Sequence, residues 1–370
     1  MSSADLEIQL IAAVTAVACA LPGVFLVLRR MAMMSDAISH VVLLGIVLTF
    51  FITQDLSSPL LILGATITGV LTVSLVELLN RTKLVKEDAA IGLVFPLLFS
   101  IAVILIAQYA ENVHLDTDAV LLGELAFAPF NRLEVGGYDI GPKALYVMGA
   151  VLLLNLAFIT LFFKELKLAT FDASLAAALG FMPGVIHYGL MTLVSVTAVG
   201  AFDAVGSVLV VALIIGPPAS AYLLTDKLSY MLGLSALFGV ISAVAGYWAA
   251  IALDANIAGS MATMIGLLFA LTFLLAPERG MISMGMRRAR QRLDFAQAML
   301  AIHLLHHEGL PNAADESRVD HLHEELRWQP QFAAKVVEGA ERAGMVVRHN
   351  GHLSLTEHGR EVGRKAMVQS

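Results

Sequence analysis

The chain has 370 residues, of which 58% are hydrophobic and only 14% charged, with a formal net charge of −7. Soluble domains are about 45–50% apolar and about 25% charged, so this composition excludes a soluble globular protein and indicates a polytopic membrane protein. The single cysteine, Cys19, excludes a disulfide within the chain and a metal site built from several cysteines.

Nine apolar runs are long enough to cross a bilayer. They cover about residues 8–28, 36–52, 59–79, 89–109, 144–163, 187–204, 206–225, 229–253 and 258–276. Glycines between 187 and 225 leave open whether this stretch is two spans or one broken helix.

Basic residues collect at alternate ends of the runs, which places the N-terminus outside and the C-terminus in the cytoplasm of a cell-membrane protein. No Lys or Arg precedes the first run, so we expect no cleaved signal peptide.

Two ionisable residues, Asp36 and His40, lie four residues apart at the start of the second run. On a helix this spacing puts both side chains on one face. Ionisable groups inside a membrane are costly and usually face a cavity, a partner or a substrate path. A carboxylate and an imidazole suit Mn²⁺, Fe²⁺ or Zn²⁺, so the pair predicts a path for a divalent transition metal. The alternatives are an N-terminal helix acid behind a Ser35 cap and a histidine hydrogen-bonded to Ser39.

An internal loop at 163–180 has a helical pattern of its own. Its features are a capping Asp172, an apolar stripe and a terminating glycine. The stripe consists of Phe171, Leu175 and Leu179, and the terminating glycine is Gly180. A short amphipathic helix of this kind suits the groove of a soluble partner, and the alternative is a helix lying in the lipid interface.

A second intramembrane acid, Asp203, is the only charged residue between His187 and Asp226. Its surroundings, Asp203-Ala-Val-Gly-Ser-Val, faintly repeat Asp36-Ala-Ile-Ser-His-Val, as in transporters built from paired halves. Asp203 is therefore predicted to be a metal ligand or gate residue, with a helix cap as the alternative.

Three segments carry a resemblance to a known family: Ser35–His40, Lys164–Gly180 and Phe202–Ser207. In this order they resemble the permease subunits of ABC-type manganese/zinc/iron importers, over about residues 8–277. The resemblance implies a dimer of permeases, two cytosolic ATPases and an external or periplasmic metal-binding protein. It also implies that Asp36 and His40 line the metal path and that 171–180 contacts the ATPase. One departure is Leu44, where the family usually has proline, so no kink is required there.

The last part of the chain, 278–370, has a different composition. Residues 277–370 contain thirteen Lys and Arg and twelve Asp and Glu, together with eight of the eleven histidines of the chain. Helical patterns at 288–308, 321–328 and 331–343 precede two short strands across Asn350–Gly351, which predicts a winged helix resembling the N-terminal domains of metal-responsive repressors. The near-zero net charge makes a nucleic-acid partner the weaker interpretation. Five histidines could bind a regulatory metal: His303, His306, His307, His321 and His323.

We therefore predict an all-α polytopic permease at 1–277 and a small α+β winged-helix cytosolic domain at 278–370. The expected cargo is manganese, with zinc or iron as alternatives, and no permanently bound cofactor is expected. The chain has no Walker-type phosphate loop, so ATP hydrolysis is assigned to a separate subunit and the chain itself is not an enzyme. The alternative functions are an ion-coupled secondary metal carrier and a membrane-tethered metal-responsive regulator.

Overall fold

Contacts between helices divide the chain into two units, Met1–Gly280 and Met281–Ser370. The computed structural model describes residues 3–55, 58, 60–109, 125–135, 138–311, 313–319, 322 and 326–369. The first unit is built from long apolar helices, and the second combines shorter helices with a two-stranded sheet.

In the described part of the first unit, nine helical segments are long and apolar enough to cross a membrane. This agrees with the predicted number. The spanning helices are α1 (Ser3–Leu28), α2 (Ala32–Thr53), α3 (Leu60–Arg81), α4 (Glu87–Tyr109), α5 (Lys143–Leu161), the two halves of α8 (Pro183–Tyr222), α9 (Leu228–Leu253) and α10 (Ile257–Leu275). Two short helices, α6 (Phe163–Phe171) and α7 (Ala173–Ala178), connect α5 to α8.

The question of one or two spans within α8 is answered at Gly206. Its backbone angles, φ 76° and ψ 163°, are not helical and mark a kink between two helical segments. Glycine adopts this conformation at little cost because it has no Cβ. Both segments are long enough to span. The prolines Pro217 and Pro218 lie inside the second segment without ending it.

Helix α1 lies at the centre of the unit, where it packs against α5, α8 and α9. A second group forms around α2, which contacts α3, α4 and α8. Lipid provides no hydrophobic drive to bring helices together, so membrane helices associate through close packing. Small residues at the crossings permit this close approach. At the α2–α3 crossing, Gly45 faces Gly64 and Ala65, and α2 continues without interruption through Leu44 to Thr53.

A short antiparallel hairpin precedes α5 and consists of β1 (Arg132–Val135) and β2 (Tyr138–Pro142). Arg132 forms ion pairs with Asp139 of the hairpin and, at 3.2 Å, with Glu7 of α1. The hairpin is therefore tied to the first turns of the central helix.

The second unit has four described helices and a hairpin. The elements are α11 (Met281–His307), α12 (Ala313–Glu316), α13 (Pro330–Arg342), β3 (Val346–His349), β4 (His352–Leu355) and α14 (Glu357–Gln369). Its apolar core includes Leu300, Val336 and Leu353. The predicted hairpin is confirmed: Val346 pairs with Leu355, and Asn350 and Gly351 both have positive φ angles, 50° and 82°.

Two details of this unit differ from the sequence prediction. The helix predicted at 321–328 is not continued at 326–328, and of its other residues only Leu322 is described. The terminal helix α14 was not predicted, because its apolar residues are few and spaced among charges.

Candidate functional site

The central feature of the candidate site is the pair Asp36 and His40 on α2. The helix begins at Ala32, so both side chains lie beyond its first turn and on one face. The His40 Nε2 atom is 3.4 Å from the Asp36 Oδ1 atom. The side chains are 31% exposed for His40 and 37% for Asp36 in the isolated chain. The pair is therefore neither sealed inside the helical unit nor fully on its surface.

Two buried serines next to the ionisable pair, Ser35 and Ser39, direct their hydroxyls to the backbone of α2. The Ser35 hydroxyl donates to the Ala32 carbonyl, and the Ser39 hydroxyl donates to the Ser35 carbonyl, both at 2.8 Å. Each hydroxyl is thus satisfied on its own helix, which is how serine is accommodated inside an apolar helix. Ser35 lies inside α2 and is not its cap.

Aromatic rings of α4 support the imidazole of His40. Its centroid is 5.3 Å from that of Phe95, and 5.9 Å from that of Phe99 in an edge-on arrangement. These contacts restrict the ring and leave its Nε2 beside Asp36. Sequence reasoning missed both phenylalanines, although their four-residue spacing on an apolar helix was a usable signal.

The third predicted ligand, Asp203, lies in α8 three residues before the kink at Gly206. The side chain of Asp203 falls outside the described part of the structure. Helix α8 packs against α2, so the two predicted elements are neighbours.

The predicted partner-binding segment consists of two helices instead of one. Asp172 has an extended backbone between α6 and α7, and its Oδ1 accepts a hydrogen bond of 2.8 Å from the Leu175 amide. It therefore caps α7, and Gly180 follows with a φ of 86°. The apolar stripe is largely uncovered in this chain: Phe171 is 60% exposed, Leu175 46% and Leu179 61%.

Arg29 connects this segment to the membrane helices, a role that its sequence position did not suggest. Its Nε donates to the Thr170 hydroxyl at 3.1 Å, and its Nη1 lies 3.4 Å from His187 Nδ1. Burial lowers the pKa of the guanidinium to about 10, so Arg29 remains charged at neutral pH. One cation thus bridges the end of α6 and the first turn of α8.

Of the five histidines predicted to bind a regulatory metal, two come together with a residue that the sequence did not single out. His303 and His307 of α11 lie beside Glu316 of α12, and the ligand atoms of the three are all within 4.8 Å of one another. His306 is exposed and its ring packs edge-on against that of His307. His321 and His323 lie outside the described residues.

Comparison with known proteins assigns the chain to a family. The model of the ABC 3 transport family matches residues 6–276. The chain is 50% identical to the zinc transport system membrane protein TroD of Treponema pallidum (strain Nichols) over 354 residues, which cover 96% of each protein. It is 52% identical to the manganese transport system membrane protein MntD of Bacillus subtilis (strain 168) over 280 residues, 76% of this chain and 95% of that protein.

A solved structure supports the fold. A chain of PsaBC from Streptococcus pneumoniae in complex with Fab matches with a TM-score of 0.62 and 28% identity, covering 74% of this chain and 92% of that one.

These relatives are membrane proteins of transport systems, so the prediction of a translocation subunit that is not itself an enzyme is confirmed. The alignment with TroD is long enough to include most of the second unit, which is therefore shared with at least this relative. The chain belongs to the ABC 3 transport family and is a multi-pass permease subunit of an ABC transporter of the cell membrane.

Proposed function

We propose that this permease imports a divalent transition metal ion, Mn²⁺ foremost, with Zn²⁺ and Fe²⁺ as alternatives. The observation that carries the proposal is the Asp36–His40 pair, a carboxylate and an imidazole 3.4 Å apart on a membrane helix. Bonds of about 2.1 Å to a metal, at the tetrahedral angle of about 109°, separate two ligand atoms by about 3.4 Å. The side chains are therefore at the spacing of tetrahedral ligation, and octahedral ligation, with adjacent ligand atoms about 3.0 Å apart, requires them to approach by about 0.4 Å.

The second permease of the transporter supplies the rest of the site in this proposal. A charged group facing lipid is unfavourable by several kcal/mol, so the partly exposed face of Asp36 and His40 needs a cover. A two-fold homodimer would place a second Asp–His pair opposite the first, giving four ligands around one axis. Bacillus subtilis (strain 168) has two relatives of this chain, MntD and MntC, so a related permease is the alternative partner.

The ligand set favours no single metal, because oxygen and nitrogen donors without thiolate accept Mn²⁺, Fe²⁺ and Zn²⁺. The relatives are named for zinc and for manganese at nearly equal identity. Manganese remains our first choice because several further relatives at 32–39% identity are manganese transport or import proteins.

The segment 171–180 is proposed as the contact with the cytosolic ATPase. Its exposed apolar stripe, together with Phe181 and Met182, offers a hydrophobic surface next to the capped helix α7. A docked ATPase subunit would cover this surface. Movement of the segment would reach α1 and α8 through Arg29, which contacts both Thr170 and His187.

Topology and the second unit complete the proposal. Lys164, Lys167 and Lys227 lie at the ends of spans that we place in the cytoplasm, with the N-terminus outside and 278–370 inside. An external binding protein would deliver the ion to the opposite side of the membrane. The helices α11–α13 followed by the β3–β4 hairpin are the order expected of a winged helix, with a protein contact or gating as its role.

Metal uptake by variants tests the path. Asp36→Asn and His40→Gln are expected to reduce Mn²⁺ uptake into proteoliposomes containing the complete transporter at least tenfold, without affecting assembly. Asp254→Asn is the matched control, because Asp254 lies beyond the spans in a left-handed conformation (φ 51°) that asparagine also adopts. Normal uptake by an assembled Asp36 or His40 variant would overturn the assignment.

Asp203→Asn separates the two interpretations of that residue. Asparagine caps a helix as well as aspartate does, so a capping role would survive the change, whereas a metal ligand would lose its charge. The ion-coupled carrier is not retained as an alternative, because the chain belongs to the ABC 3 transport family.

A further inference from the structure

A cluster of three ligand-type side chains lies in the second unit. His303 and His307 are four residues apart on the last turns of α11, and Glu316 closes α12. His303 Nε2 lies 3.5 Å from Glu316 Oε2, and the two imidazole centroids are 4.8 Å apart. Among the described residues this is the one group of three or more His, Cys, Asp or Glu whose ligand atoms converge within 4.8 Å.

The cluster is partly withdrawn from solvent. The side chains of His303 and Glu316 are 11% and 15% exposed. The Nδ1 atom of His307 is buried and has no hydrogen-bond partner among the described residues. A buried nitrogen without a partner lowers stability, and a bound ion would satisfy it.

We propose that His303, His307 and Glu316 form a binding site for a divalent transition metal in the second unit. Two imidazole nitrogens and one carboxylate oxygen are a ligand set used for Zn²⁺ and Fe²⁺. The 3.5 Å between His303 and Glu316 is close to the separation of about 3.4 Å that metal–ligand bonds of about 2.1 Å produce at a tetrahedral angle. Three protein ligands leave an open position for water. This site is additional to the path proposed at Asp36 and His40.

An adjoining cavity provides access. It has a volume of about 540 Å³, and His307 lies on its wall with Ser317, His349 and His352. His352 Nδ1 is 3.2 Å from the Ser317 hydroxyl, which orients its ring at the edge of this space. His307 is therefore the member of the cluster that borders this cavity.

Binding would strengthen the contact between two helices that already meet at His303 Nε2 and the Glu316 carbonyl oxygen, 3.3 Å apart. His303 and His307 belong to α11, and Glu316 to α12, so an ion bound by all three fixes the second helix against the first. Because a metal that binds only the folded state stabilises it, occupancy would rigidify this part of the unit. The second unit would then respond to the same class of ion that the permease carries.

Titration of the full-length permease with Co²⁺ tests the site, since the visible absorption of Co²⁺ reports its ligands and geometry. The protein should carry Asp36→Asn and His40→Gln, which remove the proposed path site. We expect a saturable Co²⁺ spectrum that Zn²⁺ displaces. His303→Gln, His307→Gln and Glu316→Gln should each weaken Co²⁺ binding about tenfold or more. His306→Gln is the matched control on the same helix and should leave binding unchanged.

Two results would overturn the proposal: Co²⁺ binding unaffected by the His303 and His307 substitutions, or weakened equally by His306→Gln. Circular dichroism checks that each variant is folded, and Glu316→Gln, which keeps a hydrogen-bonding side chain of the same size, decides the case if a histidine variant unfolds. The outcome is separable from metal import, because this titration uses a protein whose path pair is already removed.

Discussion

The crossing of α2 and α3 offers a sharp test of how the Asp36–His40 pair is held. Gly45 lies five residues beyond His40 on α2, and a Cβ added there would lie 2.6 Å from the Ala65 Cα, the Gly64 carbonyl oxygen and the Thr68 hydroxyl. Ordinary contact begins near 3.4 Å, so Gly45→Ala requires the two helices to separate by about 0.8 Å. Two of the three obstructing atoms belong to the backbone and cannot rotate away.

The expected cost follows from this overlap. Overpacking of a close contact costs about 1–3 kcal/mol. Alanine regains about 1 kcal/mol relative to glycine as a helix former. Because two of the obstructing atoms are backbone, the overlap falls at about 2–3 kcal/mol and the net destabilisation is about 1–2 kcal/mol. With an unfolding entropy of about 2.1 cal/mol/K per residue, this lowers the melting temperature of a 370-residue chain by about 1–3 °C.

Thermal unfolding of the purified permease in detergent measures this effect, and Mn²⁺ uptake by the same variant reports on the pair. Gly266→Ala is the matched control, because a Cβ at Gly266 in α10 meets nothing within 4 Å. We expect Gly45→Ala to melt earlier and take up less metal, while Gly266→Ala matches the parent. Equal melting temperatures for the two variants would refute the reasoning from close packing.

Three further outcomes are expected. Asn155→Leu should destabilise the membrane unit by about 1–3 kcal/mol, measured by detergent-induced unfolding. The buried Asn155 amide donates to the Ala18 carbonyl of α1 at 2.8 Å and to the Thr197 hydroxyl of α8 at 3.0 Å. Each hydrogen bond inside a membrane contributes about 0.6–1.7 kcal/mol. Asp172→Ala should weaken co-purification of the ATPase by uncapping α7, whereas Asp172→Asn should preserve it. The hydrogen bond from Arg360 lowers the pKa of the Glu308 carboxyl below its ordinary 4.5. The pair therefore stabilises the second unit fully above pH 4.5, and this stabilisation is lost as the pH falls through the lowered pKa. Glu308→Gln should therefore lower the melting temperature at pH 7, and the difference from the parent should vanish in acid; a difference that persists in acid would contradict this.

Local patterns in the sequence determined much of the architecture. Run length and hydropathy alone predicted nine spans, because a bilayer imposes one minimum length on every crossing helix. The four-residue spacing of Asp36 and His40 predicted their shared face, since helical periodicity is a property of the backbone. Asn350–Gly351 predicted the hairpin for a similar reason: few residues adopt the positive φ angles of a tight turn.

Tertiary packing decided which of these faces meet. The break in α8 falls at Gly206 and not at Pro217 and Pro218. Glycine adopts a positive φ at little cost because it has no Cβ, whereas a proline removes one amide donor and can remain inside a membrane helix. Phe95 and Phe99 against His40, and Glu316 beside two histidines, join residues from separate elements. Neither hydropathy nor periodicity contains that information, because both describe one element at a time, whereas a site is made where the side chains of several elements converge.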